Sequence, residues 1–131
     1  MIRQMTYVGL MALMASPVMA QSITEDAEIT SVLVDNMIVT ELTTICPSLS
    51  ARTARVNKQA KAMMETITAK GYGAEEIQTL QDPAFLATLA AKSESFFAAN
   101  GIEKRDTEAM CAFGKAQVAK RTPLGKLMKN R

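Results

Sequence analysis

The chain has no histidine, no tryptophan and two cysteines, Cys46 and Cys111. Without imidazole, the Ser-His-Asp and Cys-His catalytic designs are excluded, and so are histidine metal sites. The six glycines form no phosphate-cradling loop, because Gly71-Tyr72-Gly73 reads as a turn between helices and not as G-x-G-x-x-G. Glu75 and Glu76 make a poor acid–base pair, since adjacent residues on a helix point in different directions. No catalytic residue, metal site or cofactor site is expected, and the chain reads as non-enzymatic. A second long apolar run is also missing beyond the first twenty residues, so no membrane span is expected in the remainder.

What is present begins with those twenty residues. They carry one positive charge (Arg3), an apolar stretch from Tyr7 to Ala15, a helix-breaking Pro17, and Val18-Met19-Ala20 at the end. That is the layout of a signal peptide cleaved between Ala20 and Gln21. A lipoprotein would need cysteine at position 21, where glutamine stands. An uncleaved N-terminal anchor is the alternative. Export points to the periplasm, where an oxidising environment favours a Cys46–Cys111 disulfide. Closing a loop of that length restricts the unfolded chain by ~4 kcal/mol in the chain-entropy model. Redox catalysis would instead place the two cysteines close together, as C-x-x-C.

Residues 21–131 are enough for one domain, and their pattern predicts an all-α bundle of about five helices tied by the disulfide. Ser22 and Glu25 stand in capping-box relation before Ile29, Leu33, Met37, Ile38, Leu42 and Ile45, with Pro47 ending that helix after Cys46. Ser50 is placed to cap a second helix bearing Val56, Ala60, Met63, Met64 and Ile67, closed by Gly71. A short helix spans residues 74–80. Asp82-Pro83 opens a fourth, which stops at Asn100-Gly101. Asp106 or Thr107 opens the fifth, and Thr122-Pro123 starts a last short turn ending at Leu127 and Met128. Gly114, inside the fifth helix, reads as a close-packing position beside the disulfide, with a ligand approaching the backbone as the sharper alternative.

Charge is segregated along the chain. Residues 21–46 hold five acids (Glu25, Asp26, Glu28, Asp35, Glu41) and no base, whereas residues 109–131 hold six bases and no acid. One reading makes these segments neighbours with complementary faces, brought together by the disulfide. The other gives Lys120, Arg121, Lys126 and Lys129 contact with an anionic partner, such as phospholipid headgroups or an acidic protein. No aromatic residues interleave these bases for stacking, so nucleic acid is not an expected partner. Arg52, Arg55, Lys58 and Lys61 spread over about 180° of their helix and read as a solvated face.

The run Ile45-Cys46-Pro47-Ser48-Leu49, with Arg52, Gly71-Tyr72, Glu76-Ile77, Gly101, Cys111, Gly114-Lys115 and Leu124-Gly125-Lys126-Leu127, resembles a family of small exported proteins. These come from Rhodobacter-type alphaproteobacteria and are classed as a domain of unknown function. The resemblance implies a helical fold and periplasmic residence. It implies no activity, and it carries over no catalytic residues. A looser likeness is to acid-stress periplasmic chaperones, also small helical proteins with one disulfide. This chain is longer and shares no motif with them beyond the cysteine pair.

Together these readings predict a non-enzymatic periplasmic binding or accessory module whose partner is another envelope protein. An acid-stress chaperone and an enzyme of unfamiliar design are the alternatives. The signal-peptide reading has a direct check. Intact mass of protein recovered from periplasm should correspond to a chain beginning at Gln21. A membrane-bound species retaining residues 1–20 would contradict it.

Overall fold

A computed structural model describes residues 21–103 and 106–131. The leader reading and the Ala20 side of the cleavage point lie outside the described residues. Five α-helices carry the fold: α1 Ala27–Ile45, α2 Thr53–Ala69, α3 Ala74–Thr79, α4 Pro83–Ala99 and α5 Thr107–Lys120. Two short 3₁₀ turns, Ile23–Glu25 and Gly125–Leu127, and two three-residue strands, β1 Leu49–Ala51 and β2 Met128–Asn130, complete the described elements. The all-helical bundle is therefore as expected, with one addition. The strands form an antiparallel pair joining the turn after α1 to the end of the chain.

α1 is the central element, packing against α2, α4, α5 and β1. Ile38, Val39, Leu42 and Cys46 face a core completed by Leu49, Phe97, Met110, Leu124, Leu127 and Met128, all buried. Phe96, Phe97 and Phe113 stack edge to face beside it, with ring centres 5.5 to 6.2 Å apart. A smaller core of Ile23, Ile29 and Ile67 sits at the other end of α1, walled by Leu33, Met63, Tyr72, Ile77 and Leu80. Met64, expected on the core face of α2, is 44% exposed. It falls at the edge of the apolar arc, and Met63 and Ile67 fill the space instead.

The Cys46–Cys111 disulfide is present, with Cα atoms 5.2 Å apart. Cys46 is the C-cap of α1, and Cys111 lies in the first half of α5. Gly114 follows one turn later and is buried. A Cβ there would collide with the Leu49 side chain, so close packing against β1 accounts for this glycine. The strand pair matches Leu49 with Asn130 and Ala51 with Met128. Two bonds extend it: Arg52 N–H donates to the Leu127 carbonyl at 2.7 Å, and Arg131 N–H to the Ser48 carbonyl at 2.9 Å.

Two helix starts differ from the sequence reading. Ser22 makes no cap; Asp26 does, its carboxylate accepting from the Glu28 and Ile29 amides, so α1 begins at Ala27. Ser50 is committed to β1, and α2 begins at Thr53 behind Arg52. The other boundaries fall where their punctuation placed them. Gly71 and Gly101 adopt left-handed φ angles of 81° and 69° past the ends of α2 and α4. Asp106 caps α5 by accepting from the Ala109 amide.

Asp26 does more than cap. It is 3% exposed, and both its oxygens accept from Lys70 Nζ, at 3.0 and 2.8 Å. Tyr72 Oη donates to the same carboxylate at 3.0 Å. Lys70 also pairs with Glu28 at 2.9 Å. The Lys70 hydrogen bond holds the Asp26 pKa below its ordinary 3.8, outweighing the burial that would raise it. Because the folded pKa is the lower one, this contribution to stability is intact above pH 3.8 and disappears as pH falls through the folded value. Asp26→Ala should cost about 0.5–2 kcal/mol from the cap alone. Asp26→Asn, which keeps an acceptor oxygen, should retain part of that and flatten the acid limb of stability against pH. Chemical denaturation from pH 7 to pH 2 checks this, and an unchanged acid limb would contradict it.

Candidate functional site

Among the described residues, two concave regions gather three or more charged side chains each, and their internal balance separates them. The larger, about 490 Å³, is lined by Gln21, Ser22, Asp26, Lys70, Gly71, Tyr72 and Glu76. Its charged groups each have a partner within the fold. Lys70 bridges Asp26 and Glu28, Tyr72 donates to Asp26, and Glu76 Oε2 accepts the Gly73 amide at 2.9 Å. This region ties the start of α1 to the end of α2.

The second, about 350 Å³, is lined by Arg52, Arg55, Val118, Arg121, Gly125 and Lys126. Four cations surround it and no carboxylate does. Among the described residues, no ion pair engages any of the four. Half-buried Val118 lines it, and Leu124 and Leu127, flanking Gly125 and Lys126 in the chain, are buried in the main core.

Local structure explains how these side chains meet. Arg52 is the residue before α2, and its side-chain Nε donates to the Met128 carbonyl at 2.9 Å. One edge of the guanidinium is thereby fixed to β2, and its terminal nitrogens remain for another acceptor. Arg55 follows in the first turn of α2 and lines the same cleft. Across the cleft, α5 ends at Arg121, whose φ of 52° is left-handed. That conformation costs a non-glycine residue roughly 1–2 kcal/mol. Thr122 then folds the chain back: its hydroxyl lies 2.7 Å from Gln117 Oε1 and accepts the Gly125 amide at 3.0 Å. Gly125 packs so tightly on the Gln117 carbonyl that a Cβ could not fit. Lys126 emerges from this turn onto the same rim as Arg121.

Of the residues singled out for anionic contact, the structure brings Arg121 and Lys126 into the cleft. Lys120 and Lys129 do not line it. Arg52 and Arg55, read from sequence as part of a solvated stripe, join it, while Lys58 and Lys61 stay on the exposed face. The acid–base pairing expected between the acidic first segment and the basic residues 109–131 is not found among the described residues. Asp26 and Glu28 pair with Lys70 of the α2 terminus. Asp35, half-buried in α1, has its pKa raised by burial.

Two violated local rules were the available signal for the cleft. Arginine stands at an N-cap position, where Ser, Thr, Asp or Asn is favoured, and again at a left-handed C-terminal cap, where glycine is favoured. Arg52 has a structural return for this in its bond to the Met128 carbonyl, whereas among the described residues no bond of the Arg121 side chain offsets its strained backbone.

Among comparisons with known proteins, no curated protein and no solved structure matches the chain. One family model does, a family of unknown function designated DUF5333, over residues 21–129. That span takes in every described helix, both cysteines and the four cations of the cleft. The chain belongs to the DUF5333 family.

Proposed function

We propose that this protein is a non-enzymatic helical module of the cell envelope that holds an anionic partner in the cleft between α2 and the α5 turn. The observation that carries the reading is the set of four converging cations with no carboxylate among them. Like charges gathered on a folded surface repel, and an anion bound there removes that penalty while forming charge-assisted hydrogen bonds. The disulfide fits export to an oxidising compartment, as does the leader-like residue pattern ahead of Gln21. Both cysteines are joined in the disulfide, so neither offers a free thiol. With no histidine in the chain, the groups that remain suit binding better than acid–base catalysis.

Retention on a sulfated-polysaccharide resin tests the location of the anion site independently of its natural partner. Arg55→Gln combined with Lys126→Gln removes two cleft charges, and Lys58→Gln combined with Lys61→Gln removes two from outside it. Charge-assisted hydrogen bonds contribute about 1.5–3 kcal/mol each, so the cleft variant should elute at clearly lower salt. The second variant should elute close to the wild type. Equal losses for the two would mean that retention follows net charge, and the cleft would then have no special role.

A further inference from the structure

The identity of the anion can be taken one step further, on the basis of the cleft reading above. The cleft encloses about 350 Å³. An extended acidic segment spreads its carboxylates along about 3.3 Å per residue, and one carboxylate inside the cleft would meet four cations with a single charge. A phosphoryl group brings about −1.5 to −2 charge and three acceptor oxygens in a compact tetrahedron. Three of the four cations are arginines, whose planar forks match such oxygens with paired bonds. Arg52 is pre-oriented by the Met128 carbonyl, so its free edge loses little freedom on binding. The first turn of α2 beside it has neither an acidic residue nor a side-chain cap, which leaves its positive end uncompensated.

We infer that the cleft is a phosphoryl-binding site in which Arg52, Arg55 and Arg121 grip the oxygens and Lys126 supplies the fourth charge. Arg121 is the informative member. It occupies a left-handed position that glycine would fill with less strain, and its side chain lines the cleft. The same chemistry is offered by a free phosphate ester or by a phospholipid headgroup.

The test uses the disulfide-bonded exported protein and four probes at fixed ionic strength. Calorimetric titration with inorganic phosphate and pyrophosphate reads the soluble source. Co-sedimentation with phosphatidylglycerol vesicles, against phosphatidylcholine vesicles, reads the lipid source. A glutamate decapeptide stands for an acidic protein. One pyrophosphate per chain should bind, and Arg55→Gln should weaken it at least about tenfold. Lys61→Gln should leave it within about twofold, because Lys61 lies outside the cleft. Arg121→Gly should weaken binding with the melting temperature unchanged or raised. Vesicle binding that pyrophosphate competes away identifies a headgroup as the source, whereas pyrophosphate binding without vesicle binding identifies a soluble ester. Binding of the decapeptide alone would overturn the phosphoryl assignment and leave the broader reading in place. No anion bound, or equal weakening by Lys61→Gln, would overturn both.

Discussion

The return of the chain's end to the turn after α1 is the constraint from which the rest follows. Three connections enforce it: the Cys46–Cys111 bond, the β1–β2 pair, and the burial of Leu124, Leu127 and Met128 in the main core. The disulfide restricts the unfolded chain, and the strands and core residues fix the register of closure. Once Met128 is opposite Ala51, Arg52 has no choice but to lie against β2, with the turn carrying Arg121 and Lys126 beside it. The cleft is a by-product of closure in its position, but not in its charge. Any polar residues would satisfy the geometry at the rim.

The contrast with the other end of α1 makes that charge meaningful. Around Asp26, a buried carboxylate meets an ammonium, a phenol and two backbone amides, and each donor has its acceptor. Such a cluster strengthens a fold and has little left to offer a ligand. The cleft inverts this economy. Its cations are exposed to water and to one another, and half-buried Val118 lines the cleft beside them without neutralising them. One fold thus carries a satisfied electrostatic lock at one end and an unsatisfied cationic surface at the other.

Much of the architecture was legible in local chemistry. Asp82-Pro83 and Asn100-Gly101 bracket α4, Gly71 ends α2, and the spacing of apolar residues marks the helices, because caps and periodicity act within a few residues. The start of α1 was misplaced at Ser22, which with Glu25 satisfies the local pattern of a cap. Asp26 prevails through Lys70 and Tyr72, partners distant in sequence. The strand pair escaped for a related reason: three residues are too few to show alternation, and β1 and β2 come from opposite ends of the domain. The cleft was half visible. Arg121 and Lys126 stood out by charge, but the periodicity of α2 describes only neighbours on one helix and could not show that Arg52 and Arg55 face them.

The central claim is that closure holds like charges together without an acid to balance them. The salt dependence of thermal stability, compared between the wild type and the Arg55→Gln, Lys126→Gln double variant without added ligand, tests it most directly. Screening weakens repulsion at exposed sites, with a Debye length falling from about 30 Å at 0.01 M to about 3 Å at 1 M salt. The account predicts that the double variant melts higher at low salt, and that the gap closes as sodium chloride is added. A double variant that melts lower at low salt, with salt again erasing the difference, would show that these cations are held by attraction within the fold and would contradict the account.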